Sequence, residues 1–370
     1  MKKLKISIGS KLIDGPWGGG NLFAINLTNY LKENNHEVIY NLDDDDIDII
    51  LLTEPRKTSE SSAFTHLDVN NYLKFKNSNS IVIHRINECD ERKNTDYVNK
   101  YLINVNKSAD FTVFVSTWLM TLFEKQGLTQ SNKKVILAGA NKEIFNKEDY
   151  IPWNQKEKLK IVTHHWGANW NKGFDTYIQL DEMMGSEEWK GLIEFTYIGN
   201  LPRNFKFENS IHIEPLSGLE LARQIKSNHV YITGSLNEPS GNHHIEAAQC
   251  SLPILFIDSG GIPEYCDNFG ISFVTDFEDK LRTIIKDYDL FLKRMSTYPF
   301  SADKMCDDFF HLFEKLINEK NQNKIEFKIG PKGKFLIVRN KASNKIKTNI
   351  FTNMQHTLGS YYRKYKRWKI

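Results

Sequence analysis

Short runs of alternating apolar and polar residues recur along this chain, most of them followed by a stretch with apolar residues three or four positions apart. Leu4–Gly9 alternates as a strand does, Leu22, Ile25, Leu27 and Leu31 share one face of a helix over 21–32, and His36–Tyr40 begins a second strand. The same reading gives strands at Ile47–Leu52, Ser80–Ile83 and Phe111–Val115, with helices over Asp96–Lys107 and Thr117–Gln126. Strands that alternate with helices predict a parallel sheet covered on both faces.

A proline among charges at 146–158 interrupts the series and reads as a linker. A second series then predicts strands at Leu159–Thr163, Glu194–Ile198, Ile211–Ile213, Val230–Thr233, Ile254–Ile257 and Ser272–Val274. Helices are predicted over Phe174–Met183, Gly218–Ser227, Asn242–Cys250 and Asp279–Met295. The expected fold class is α/β: two doubly wound parallel-sheet domains, 1–150 and 151–297, facing across a cleft at the carboxyl ends of their strands. After the Tyr298-Pro stop, Met305, Phe309, Leu312 and Leu316 predict a closing helix over 298–320 that crosses back to the first domain. Residues 321–370 form a separate extension, with a hairpin at 327–340.

A chain of 370 residues with 40% hydrophobic and 26% charged positions has the composition of an ordinary globular protein. The opening apolar run is too short for a secretory leader and no apolar stretch reaches bilayer length, so a cytoplasmic location is expected. Cys89, Cys250, Cys266 and Cys306 lack the spacing of a zinc site or a disulfide framework and read as reduced structural thiols. The net charge of +3 conceals an asymmetry: residues 324–370 hold thirteen lysines and arginines against one acid, and the rest of the chain is acidic. The basic end, with aromatic rings at Tyr361–Trp368, reads either as a peripheral contact with anionic lipid at the inner membrane surface or as a solvated tail. The acidic body opposes nucleic-acid binding. The Asp43–Asp46 run reads as a solvated loop, and no metal is expected.

Candidate chemistry falls at turns. Gly15–Asn21 contains Gly18-Gly19-Gly20 between a strand and a helix, where exposed amides could meet a phosphate, or where the chain merely turns. The matching turn of the second half carries Asn171-Lys172-Gly173, whose ammonium could neutralise a leaving diphosphate or lie in solvent. His164 and His165 could assist it or be packed structurally. The sharpest segment is Asn237-Glu-Pro-Ser-Gly-Asn-His-His-Ile-Glu246: Glu238 on a loop and Glu246 in the helix are bidentate acceptors suited to vicinal hydroxyls, with Ser240 or Asn242 as helix cap. Ser259-Gly-Gly-Ile-Pro-Glu264 makes a second glycine turn, with Glu264 read as solvated.

Gly18–Gly20, Asn171-Lys172-Gly173, Glu238-x7-Glu246-Ala and Ser259–Glu264 after its strand, in this order, resemble a retaining glycosyltransferase of family 4 with the GT-B fold, over roughly residues 4–320. The resemblance implies transfer of a hexose-like sugar from a nucleotide diphosphate sugar to a glycan or lipid-linked acceptor, without a cofactor. It implies catalytic roles for Lys172, Glu238 and His84, with Glu246 on the ribose and Glu238 on the donor sugar. Gly19, Gly20, Gly173, Ser240, Gly241, Asn242, Gly260 and Gly261 would complete the donor site, and Arg85, Asn87 and Asp90 would serve the acceptor or form a structural cluster. The family places an arginine upstream of its lysine where this chain has Trp166-Gly167, so a second positive charge is expected from elsewhere, such as Arg85 or Arg203. The alternatives are a silent sugar-nucleotide or glycan-binding protein and a nucleotide-sugar epimerase on the same fold.

Overall fold

The computed structural model describes residues 3–13, 15 and 18–322. The hairpin and membrane contact expected of residues 321–370 fall almost wholly outside them. The front half holds β1 (Lys5–Ile8), α1 (Gly19–Glu33), β2 (Glu37–Ile39), β3 (Ile49–Leu52), α2 (His66–Phe75), β4 (Ile81–Ile86), α3 (Asp90–Lys93), α4 (Val98–Asn106), β5 (Phe111–Phe114), α5 (Thr117–Lys125) and β6 (Lys133–Val135). The second half holds β7 (Leu159–His165), α6 (Phe174–Gly185), β8 (Ile193–Gly199), β9 (Ile211–Ile213), α7 (Gly218–Lys226), β10 (Val230–Thr233), α8 (Asn242–Gln249), β11 (Ile254–Ile257), α9 (Pro263–Cys266), β12 (Gly270–Phe273), α10 (Phe277–Lys286) and α11 (Tyr288–Met295), followed by α12 (Ala302–Asn321).

Each half is a six-stranded sheet, in the orders β2-β1-β3-β4-β5-β6 and β12-β11-β10-β7-β8-β9. Every pairing between these strands is parallel, with registers such as Ile6↔Ile49, Ile49↔Ile81 and Ile161↔Phe195. Ile49-Ile-Leu-Leu52 is buried at all four positions because helices cover both faces of the sheet. In the second half Phe174, Tyr177, Phe195 and Tyr197 stack between α6 and β8, with ring centroids 5.4–5.9 Å apart.

The closing helix crosses back as its spacing predicts. Phe309 of α12 meets Phe23 of α1 at 5.1 Å between centroids, and Tyr30 Oη donates to Asp307 Oδ1 at 3.0 Å. These residues belong to one core cluster that also takes in Ile245 of α8 and Tyr265 of α9, so the packing under the cleft is shared by both halves.

Alternation alone misses several elements. α2 carries a capping box, Thr65 with Asp68, ahead of Val69, Tyr72 and Leu73, which is a legible helix signal. β6 is a charged edge strand, Lys-Lys-Val, whose lysines hide the pattern while guarding the sheet edge. The helix predicted over 279–295 breaks at Asp287 into α10 and α11. All four cysteines are buried and free. The Asp43–Asp46 run is tied to Lys5, whose Nζ lies 2.9 Å from Asp44 and 2.7 Å from Asp46. Among the described residues no helix is long and apolar enough to cross a membrane.

Candidate active site

The first residues of α1 and α8 meet across the cleft. A Cβ added to Gly19 would lie 2.9 Å from Asn242 Oδ1, and one on Gly20 would lie 3.7 Å from Asn87 Nδ2. The N-caps of the two helices are Gly18 and Gly241, and neither has a side-chain hydrogen bond to its first turn. Neither Ser240 nor Asn242 caps α8, contrary to expectation. Asn242 is instead the first helical residue, so side-chain caps do not occupy the first-turn amides of either helix. Two positive helix ends that share one space favour an anion between them.

Lys172 ends a 3₁₀ turn, Trp170–Lys172. Gly173 follows at φ 106°, and a Cβ there would fall 2.6 Å from the Gly234 carbonyl carbon. That glycine lets the turn lie on the backbone after β10, where Leu236 N donates to Asn171 O (2.8 Å) and Ser235 Oγ to Lys172 O (3.2 Å). Lys172 Nζ then reaches Glu238 Oε2 at 2.6 Å, with both side chains buried. Gly260 and Gly261 hold the Glu238 loop from behind: Gly261 N donates to Glu238 O at 2.8 Å, and a Cβ on Gly260 would be 2.5 Å from that oxygen.

A second cation joins the pair, and it is neither Arg85 nor Arg203. Arg92 Nε of α3, from the front half, lies 3.2 Å from Glu238 Oε1. Arg85 is buried over the Phe23 ring at 3.8 Å, and burial lowers its guanidinium to about 10. Arg203 is exposed. Arg92 was missed because no local signal aims Asp90-Glu-Arg-Lys93 at a loop of the other half. Burial would raise the Glu238 carboxyl, but the charges of Arg92 and Lys172 prevail and hold it at about 2. Burial, reinforced by Arg92 and opposed by Glu238, lowers the Lys172 ammonium to about 8. Anion binding that depends on this ammonium should weaken as pH rises through about 8. In Lys172→Arg the fall should be absent, and titration calorimetry across pH 6.5–9.5 with inorganic pyrophosphate checks it.

Glu246, one turn into α8, does not stand alone. Its Oε2 lies 2.8 Å from His164 Nε2, and His164 Nδ1 lies 3.3 Å from Tyr231 Oη. His165, His243 and His244 pack beside this pair, with ring centroids 4.6 Å apart for His165–His243 and 4.8 Å for His243–His244. Burial depresses all three imidazoles, His244 to about 3, so they are neutral hydrogen-bonding groups. His165 donates to or accepts from Tyr177 Oη at 2.6 Å, and His243 pairs with Thr233 Oγ1 at 2.9 Å. Both histidines of the His164-His165 pair thus have structural partners.

The other front-half candidates divide. His84 does not face the cleft: strand alternation puts Ile83 and Arg85 toward α1 and sends His84 with Val82 to the opposite face. There it is fully buried, with Nδ1 3.1 Å from Asn106 Nδ2, which removes it as a catalytic residue. Asp90 is occupied as well. Its carboxylate accepts from Thr95 Oγ1 (2.5 Å), Val98 N (2.8 Å) and Asn99 N (2.9 Å) and so anchors the start of α4, a structural rather than an acceptor-binding role. Asn87 stays at the cleft beside Gly20. Glu264, read as solvated, crosses between halves and accepts from Thr117 N and Trp118 N at 2.8 Å, closing the N-terminus of α5.

No protein-family model matches the sequence, and comparison with curated proteins finds no significant relative. Solved structures do match. A glycosyltransferase from Rickettsia africae is similar at TM-score 0.62 and 13% identity, covering 86% of this chain and 99% of that one. HepE of Anabaena, in complex with UDP and glucose, gives 0.60 and 10%, covering 85% and 100%. WaaG, a glycosyltransferase involved in lipopolysaccharide biosynthesis, gives 0.57 and 14%, covering 85% and 99%. With two six-stranded parallel sheets wound on both faces and a closing helix returned to the front half, the chain has the GT-B fold.

Proposed function

We propose that this chain is a glycosyltransferase that moves a hexose-like unit from a nucleoside diphosphate sugar to a hydroxyl of a glycan or lipid-linked acceptor, with retention of configuration and no cofactor. The observation that carries the reading is the meeting of two helix N-termini without side-chain caps, one of them opening four residues after Glu238 of the buried Lys172–Glu238 pair. Amide dipoles and an ammonium suit the diphosphate, and the carboxylates of Glu238 and Glu246 suit the hydroxyls on either side of it. The complexes of HepE with UDP and with UDP-glucose support a donor of this class.

In the proposed step the bond from the anomeric carbon to the β-phosphate oxygen breaks and its electron pair leaves with the diphosphate. The acceptor oxygen bonds to the same carbon from the same face, and its proton passes to the departing phosphate oxygen. Charge develops on the leaving group, so Lys172 and the helix amides act where the transition state differs most from the ground state. Glu238 orients Lys172 and takes hydroxyls of the sugar. Glu246, held by His164, takes the ribose diol.

A second reading, a silent sugar-nucleotide binder, is favoured by one observation: Trp166-Gly167 stand in the neighbourhood where the resembling family has an arginine. Incubation with a panel of nucleotide sugars, UDP-glucose first, separates the two. A transferase is expected to release free sugar and nucleoside diphosphate slowly without acceptor and to bind UDP more weakly as Glu246→Ala. Thermal stabilisation by a nucleotide sugar with no turnover, with or without acceptors, would leave only the binder.

A further inference from the structure

We propose that Arg92 supplies the second cation of the donor diphosphate site from the opposite half of the molecule, so that the site is complete only when the cleft is closed. The inference rests on the transferase reading and adds a residue and a dependence on closure that the reading does not contain.

Charge pairing supports it first. Arg56 is matched by Glu54 (2.6 Å) and Glu88 (2.5 Å), and Lys93 by Glu88, so two cations and two carboxylates of the front half balance locally. Beyond them Arg92 and Lys172 share one carboxylate, Glu238. Two cations from opposite halves therefore converge on a single buried carboxylate. Converging cations of this kind suit a phosphate group, which an arginine meets through charge-assisted hydrogen bonds.

Hydrogen-bond geometry adds a second observation. Arg92 Nε is buried and donates no hydrogen bond, although Glu238 Oε1 is 3.2 Å away. Its N–H is aimed off the carboxylate, whereas Lys172 makes a full bond to the other oxygen.

The backbone explains how Arg92 is presented. Asp90 ties α3 to the front half through Thr95, Val98 and Asn99. From the other half, Asn171 Nδ2 donates to Arg92 O at 3.2 Å and Asn237 Nδ2 to Glu91 O at 3.4 Å. Asn171 and Asn237 are the immediate neighbours of Lys172 and Glu238 in sequence. The contacts that shut the cleft are thus built into the turns that carry the site, and opening it withdraws Arg92. In the closed state, as the anomeric C–O bond breaks and its electron pair moves onto the β-phosphate oxygen, Arg92 and Lys172 meet the growing charge from two sides. An open molecule would leave Lys172 alone with Glu238, which ties catalysis to closure.

The test uses inorganic pyrophosphate, which carries the diphosphate without committing to a base or sugar, and titration calorimetry on the full chain. Arg92→Ala should weaken binding about tenfold or more, the effect of losing one charged hydrogen-bond partner. A replacement charge can be placed at Gly167, where an added Cβ would make ordinary contacts, 3.4 Å from Asn169 Nδ2 and 3.6 Å from Lys172 Cε. Arg92→Ala with Gly167→Arg should recover most of the lost affinity if Arg92 acts through its charge on the anion. No recovery would show Arg92 to be a latch and overturn the proposal. Arg92→Gln, which keeps a polar side chain and removes the charge, serves if the alanine variant does not fold. If Lys172→Ala weakens pyrophosphate binding and Arg92→Ala does not, the proposal fails and the transferase reading stands. If the unsubstituted chain does not bind pyrophosphate, or Lys172→Ala binds it equally well, the diphosphate reading itself fails and the proposal with it.

Discussion

Lys172→Ala is expected to lower turnover of the donor by two to three orders of magnitude, the scale of about 2.7–4 kcal/mol lost when a preorganised group facing developing charge is removed. The fall should appear in kcat more than in KM, because the ammonium gains most from the charge that appears on the departing diphosphate. The same substitution strips Glu238 of its 2.6 Å partner and leaves a buried carboxylate with Arg92 alone. Part of any loss could then come from stability, since a buried charge deprived of its partner is destabilising. The double variant Lys172→Ala with Glu238→Gln separates the two effects. It should regain thermal stability relative to Lys172→Ala and regain no turnover. Unchanged kcat in Lys172→Ala, measured with the donor that the nucleotide-sugar panel identifies, would remove the lysine from the mechanism.

The largest expected effect on stability is Phe309→Ala, which should cost about 3–5 kcal/mol, the range for a buried phenylalanine cut to alanine. Phe309 is fully buried, meeting Phe23 at 5.1 Å and Phe313 at 6.1 Å between ring centroids. It lies where α12, entered from the second half, rests on α1, whose first residue abuts α8 at the site. A cavity there weakens the seam that holds the halves in register. Leu290→Ala on the exposed side of α11 should change stability by about 0.5 kcal/mol or less, as is usual for surface positions. Denaturant unfolding monitored by intrinsic fluorescence checks both. A Phe309→Ala midpoint equal to that of Leu290→Ala would mean that α12 does not stabilise the closed molecule.

The architecture was legible because its signals are local. Ile49–Leu52 and Ile254–Ile257 are short apolar runs bounded by turn residues, and the 305–316 spacing repeats with the period of a helix. Lys172 and Glu238 were legible for a related reason: each lies beside a glycine turn at the end of a strand, where a wound sheet places its ligands. His84 shows where that logic stops. It lies on a strand at the cleft, but strand alternation turns it to the far face against Asn106, and a single sequence does not say which face carries the site.

What the sequence determined by itself is the two doubly wound sheets, the glycine turns, the closing helix and the place of Lys172, Glu238 and Glu246 on the turns and helix start that follow the strands. Each depends on residues within a turn or two of one another. The tertiary structure alone decided that Arg92 meets Glu238, that His164 holds Glu246 and that Glu264 closes α5 from across the cleft. Those contacts join side chains far apart in the chain, and only the packing of one half on the other sets their distance, because periodicity and turn chemistry place a residue on its own element and not against the neighbouring one.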